Sequence, residues 1–76
     1  YLFPNPTKDF FTIYTPSDFG LPNSITITNS LGQILSKKNI EKTSDLNIGL
    51  NGLSNGVYFV TIVKEQQSKT FQLVKN

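Results

Sequence analysis

The 76-residue chain contains neither histidine nor cysteine. That removes Ser-His-Asp and Cys-His nucleophile systems, imidazole metal sites and thiolate zinc sites. A Ser-Lys pair among Ser36, Ser44, Ser68 and the lysines is the one nucleophile pairing left open. No strand-turn-helix element stands ready to hold such a serine in an elbow, so exposed serines and lysines on turns are expected instead. The carboxylates Asp9, Asp18, Glu41, Asp45 and Glu65 are scattered over separate segments, which argues against a prearranged glycosidase pair. None has the D-x-D-x-D-G spacing of a calcium loop, and a chance calcium between loops is the only metal reading left. No glycine motif cradles a phosphate, and the proline within Asn5-Pro6-Thr7 disqualifies it as a glycosylation sequon. The residues therefore point to a non-enzymatic module with no cofactor, no metal and no small-molecule substrate. The aromatics Phe3, Phe10, Phe11, Tyr14, Phe19, Tyr58 and Phe59 could build a sugar- or peptide-binding face. Without tryptophan, core and cross-strand roles are the expectation.

Seven lysines against five acids leave a net charge of +2, too small and too dispersed for a nucleic-acid footprint. Lys37, Lys38 and Lys42 form the one local basic cluster and read as a solvated loop. No apolar run approaches the ~20 residues a membrane-spanning helix needs. The chain starts at Tyr1 with no initiator Met and no signal peptide, which reads as a segment of a longer product.

The elements that must carry these residues are strands. Residues 10–14 are aromatic and β-branched, 24–28 alternate with Ile25 and Ile27 on one face, and 33–37 are a weaker strand. Residues 46–50 alternate again. Residues 57–63 form the most apolar run, expected at the centre of a sheet, and 70–74 close the chain with Phe71 and Leu73 sharing a face. Between them, 16–22 carry Ser, Asp, Gly and Pro, 30–32 make a tight turn, 39–44 are polar, and 51–56 hold two Asn/Gly pairs. Residues 65–68 read as a four- or five-residue hairpin loop. The spacing predicts one all-β domain over residues 1–76, a β-sandwich or small barrel, with no helix longer than a turn. Alternation sends Phe11, Ile13, Ile25, Ile27, Leu35, Leu46, Ile48, Leu53, Tyr58, Val60, Ile62, Phe71 and Leu73 inward. A chain this small buries only about 60–65% of its unfolded surface. With no disulfide, its core must hold it together unaided.

Three segments in order carry more. Pro4-Asn5-Pro6 leads into a strand, ITNSLGQIL (27–35) is strand, glycine turn and strand, and LSNGVYFV (53–60) precedes a final strand containing Lys69 and Lys75. Together they resemble the type A C-terminal sorting domain of the type IX secretion system of Bacteroidota, over essentially the whole chain. The resemblance implies a small Ig-like β-sandwich of about seven antiparallel strands, covalently part of a larger exported cargo protein. It implies partners in the type IX translocon, an outer-membrane shuttle protein and a sortase that usually removes the domain. Localisation would be the periplasm in transit, then the cell surface or the medium. The motif positions carried over are Pro4, Asn5, Pro6, Gly32, Gly56, Tyr58, Lys69 and Lys75, with Phe71 and Leu73 in the same terminal strand. Residues 37–45 match no family motif, and Tyr1-Leu2-Phe3 reads either as the tail of a linker or as a first edge strand. The alternative is a spacer, adhesion or carbohydrate-binding module, Ig-like or fibronectin-like, of an extracellular protein.

Local physics gives these positions mechanical meaning. Gly32 and Gly56 would supply backbone conformations that a β-carbon disfavours. Tyr58 starts the most buried strand, with its hydroxyl free to reach a loop backbone group. Each proline fixes its own φ and removes a donor, which suits a strand entry or an edge. Two readings of the terminal strand stay open: its backbone pairs with a receptor strand beside Lys69 and Lys75, or those lysines blunt an exposed edge.

Overall fold

A computed structural model describes residues 1–76. Its seven strands are β1 (Leu2–Phe3), β2 (Phe10–Ile13), β3 (Ser24–Asn29), β4 (Ile34–Asn39), β5 (Asn47–Gly49), β6 (Gly56–Lys64) and β7 (Gln67–Lys75). All pair antiparallel, in a three-stranded sheet ordered β1-β2-β5 and a four-stranded sheet ordered β4-β3-β6-β7. The inner faces stack around one cluster, giving the Ig-like sandwich. Leu2–Phe3 forms an edge strand in register with Thr12 and Ile13. No helix is long and apolar enough to cross a membrane.

Alternation decides most of the core. Phe11 and Ile13 from β2, Ile25 and Ile27 from β3, Ile48 from β5, Tyr58, Val60 and Ile62 from β6 and Leu73 from β7 are all buried. Leu46, Leu53 and Phe71 pack against them, half-buried. Leu35 departs from the expectation: it is 41% exposed, and no residue of β4 is buried. The register shifts between Ile27 and Thr28, so Ile27 pairs with Ser36 and Thr28 with Ile34. The irregularity displaces β4's alternation, and the three strands of the facing sheet do not cover this edge. Leu2, Phe19, Ile40 and Leu50 take the remaining core positions from a short edge strand and from loops.

The turns close with side chains and a few special backbone angles. The β6–β7 hairpin is tighter than the sequence suggests. Lys64 pairs with Gln67, leaving Glu65 and Gln66 as the loop, with Glu65 at φ 55°. The Asn23 side-chain carbonyl accepts the Glu65 amide at 2.7 Å, an anchor from 42 residues away. A single 3₁₀ turn, Thr43–Leu46, precedes β5. There the Asp45 carboxylate accepts the Glu41 amide at 3.0 Å and the Lys42 amide at 3.2 Å.

Burial sets clear expectations for substitutions. Leu73→Ala removes a fully buried side chain, so unfolding stability should fall by about 2–5 kcal/mol in chemical denaturation. Leu35→Ala should change it by less than about 0.5 kcal/mol. For Asp45, the Glu41 amide lowers the carboxyl pKa most, partial desolvation raises it, and the Lys42 amide and the Lys38 and Lys42 charges lower it further. The net shift is downward. The turn is therefore supported above the ordinary Asp value of 3.8 and loses that support as pH falls through the lowered value. In an NMR titration, the Glu41 and Lys42 amide shifts should move together with a midpoint below 3.8.

Candidate functional site

The Pro-Asn-Pro segment lies against the last strand. Alternate residues of an antiparallel strand direct their N–H and C=O to opposite edges. In β7, Lys69, Phe71, Leu73 and Lys75 face β6, and Ser68, Thr70, Gln72 and Val74 face outward. The Asn5 side chain occupies part of that outer edge. Its Nδ2 donates to the Gln72 carbonyl at 2.8 Å, and its Oδ1 accepts the Val74 amide at 3.0 Å. One primary amide thus presents a donor and an acceptor where a neighbouring strand would present a peptide group. Thr7 continues the cover: its amide donates to the Val74 carbonyl at 2.8 Å, and its carbonyl accepts the Asn76 amide at 2.8 Å. This forms a parallel bridge between Thr7 and Lys75.

The flanking residues explain why Asn5 can do this. Pro4 and Pro6 have no N–H to donate, and the peptide bonds preceding both are cis. Between them, the donor that reaches the strand is the Asn5 side chain. Thr7 is buried, and its hydroxyl donates to the Phe10 carbonyl, tying the segment to β2. The clamp therefore joins the edge of the four-stranded sheet to the three-stranded one.

Several other singled-out residues gather at the same end. Gly56 is in register with Lys75, and Tyr58 with Leu73. Gly56 adopts φ 155°, a value side chains rarely take. The Tyr58 ring is buried, and its hydroxyl donates to the Ser54 carbonyl at 2.5 Å, closing the loop that precedes β6. Lys75 Nζ lies 3.4 Å from Asn55 Oδ1 in that loop. Leu73 is core, and Phe71 packs half-buried against it. Gly32 lies at this end too, but on the far side of the sheet, in the β3–β4 turn at φ 86°. Lys69 sits apart, paired with Ile62 and about 20 Å along β7 from Lys75. Its ammonium lies 5.2 Å from the centre of the Phe19 ring.

Two polar residues were not singled out from the sequence. Asn29 organises the β3–β4 turn: Oδ1 accepts the Leu31 and Gln33 amides at 2.9 and 3.0 Å, and Nδ2 donates to Gln33 Oε1 at 2.8 Å. An Asn opening a turn that ends near Gly was the available signal. Thr7 had no local signal, because its partners are at the other end of the chain. The aromatics divide between core and surface. Phe11, Phe19 and Tyr58 are buried, Tyr1 stacks on Tyr14 across β1 and β2 with centroids 5.0 Å apart, and Phe3 and Phe10 are exposed.

The surface has no pocket, and no group of three or more His, Cys, Asp or Glu side chains converges. What the chain offers a partner is its edges and faces. The family model for a secretion system C-terminal sorting domain matches residues 1–76, the whole chain. No curated protein matches it.

The clamp makes a direct prediction for hydrogen exchange. The Val74 and Asn76 amides should exchange slowly, while those of Ser68, Thr70 and Gln72 exchange quickly. Asn5→Ala should speed exchange at Val74 while leaving the amides that face β6 protected.

Proposed function

The chain belongs to the family of secretion system C-terminal sorting domains, and on that premise we propose how it is used during export. The family's members are C-terminal sorting signals for type IX secretion, carried by cargo proteins and recognised by that system. A sorting signal of this kind is not catalytic, and it implies export to the cell surface or beyond. The family match lends nothing to a spacer, adhesion or carbohydrate-binding reading.

In our reading, residues 1–76 act as one sorting unit. Cargo bearing it crosses the periplasm, is handed to the translocon with an outer-membrane shuttle protein, and is then freed of the domain by a sortase. The observation that carries this reading is the match over the full chain. Pro4, Asn5, Pro6, Gly56, Tyr58, Leu73 and Lys75 would form its structural end, where the N-terminal lead-in and the last strand meet. Gly32 would shape the β3–β4 turn, and Phe71 and Lys69 would continue the terminal strand. The residues support each other physically: Leu73 and Tyr58 anchor β7 and β6 in the core, and Asn5 holds β7 from outside.

A reporter enzyme fused to residues 1–76 should reach the surface or medium of a type IX-secreting bacterium. The same fusion lacking residues 67–76 should be retained in the periplasm, measured by cell fractionation. Equal surface delivery of both fusions would refute the sorting role of this strand.

A further inference from the structure

The cover over β7 stops partway. On the outer edge, the Asn76 amide, both Val74 groups and the Gln72 carbonyl are bonded to Thr7 and Asn5. Beyond that point the Gln72 amide, both Thr70 groups and both Ser68 groups face outward with no protein partner. These donors and acceptors run along about 14 Å of strand.

Uncovered edges are usually blunted by charge, Pro or a bulge. The two lysines of β7 do not serve this edge. Lys69 lies over Phe19, and Lys75 reaches toward Asn55 in the loop before β6, on the opposite side from Asn5. The exposed side chains here are Ser68, Lys69, Thr70 and Gln72, and the one charge among them, Lys69, is drawn toward Phe19. Thr70 pairs with Thr61 at 2.9 Å on the sheet surface, which leaves its backbone clear. The opposite free edge, β4, is different. It carries exposed Lys37 and Lys38, and its register is broken near Ile27 and Thr28.

We propose that the outer edge of β7 from Ser68 to Gln72 is a strand-addition site for an extended polypeptide segment of the export machinery, with Asn5–Thr7 marking where that segment must end. This rests on the sorting role above and assigns it a contact surface. The occupant is an extended backbone, because what the site offers is an alternating row of main-chain donors and acceptors and no pocket. Affinity comes from main-chain hydrogen bonds, and the clamp fixes the register. A segment that slid further toward Asn76 would have to displace four hydrogen bonds. Such recognition tolerates variation in the surface side chains, because the groups it reads belong to the backbone.

Proline substitution tests this, because Thr70 uses its amide only outward. Thr70→Pro removes that donor and leaves the bonds to β6 in place, a position where an edge strand accepts proline. Thr70→Ala controls for the lost hydroxyl, and Lys37→Pro removes an outward amide from the other edge. Each is placed in the reporter fusion, with a thermal melt of the purified fusion to establish folding. If Thr70→Pro does not fold, Gln72→Pro replaces it, since it loses the next outward amide and keeps the carbonyl bonded to Asn5. The expected result is a folded proline variant whose surface delivery is about tenfold below Thr70→Ala, with Lys37→Pro at the level of the unsubstituted fusion. A folded β7 proline variant delivered as well as Thr70→Ala would overturn the proposal, as would an equal loss in folded Lys37→Pro. The fusion lacking residues 67–76 separates the two claims. If it too is delivered normally, the sorting role fails. If it is retained while the folded proline variant is delivered, only the edge contact fails.

Discussion

A sandwich of this size has no disulfide to tie its ends, and here hydrogen bonds along part of the β7 edge join the two ends of the chain. The Asn5 amide and the Thr7 backbone together stand in for a missing strand beside β7, from 67 and 69 residues away in the case of Asn5. Asn suits the position because its side chain carries both a donor and an acceptor. Asp would lose the bond to the Gln72 carbonyl, and an apolar residue would lose both. Thr7 then carries the connection into β2 through Phe10. One short segment thereby closes the C-terminal part of one sheet's edge and ties it to the other sheet. Contacts this distant in sequence carry a loop-closure entropy cost that the bonds must offset.

The same device recurs at smaller scale. Asn23 holds the β6–β7 hairpin, Asn29 the β3–β4 turn, Asp45 the 3₁₀ turn, and the Tyr58 hydroxyl the loop before β6. In each, a side chain satisfies backbone groups that regular pairing leaves over. No buried side-chain nitrogen or oxygen is left without a partner. A core of thirteen buried residues is thus combined with polar closures at nearly every turn. That suits a signal that must fold as a tag on its cargo.

The strands and most of the core were legible in the sequence because they follow from local alternation. Phe11, Ile25, Ile27, Val60, Ile62 and Leu73 face inward for the same reason that their neighbours face out. Gly32 and the Asn/Gly pairs marked turns for an equally local reason. Leu35 misled because alternation assumes a regular ladder, and β4 has a shifted register and leaves Leu35 41% exposed. Phe19, Ile40 and Leu50 were missed because residues in loops and at strand ends become core only when the chain folds back over them. The 65–68 loop came out shorter because Asn23 supports a tight turn from a distant position.

By itself, then, the sequence determined an all-β chain without histidine or cysteine, the order and approximate extent of its strands, and its resemblance to sorting domains. These depend on residue type and on period-two spacing, and neither requires knowledge of what lies across the fold. Only the tertiary structure decided what Pro4-Asn5-Pro6 is for. Read alone, the prolines indicate a stiff strand entry. The function of the residue between them depends on the Gln72 carbonyl and the Val74 amide, which come within reach of its side chain only once the two sheets have closed. The same closure determined which backbone groups of β7 are covered and which remain open, because an edge exists only relative to the strands that are, or are not, beside it.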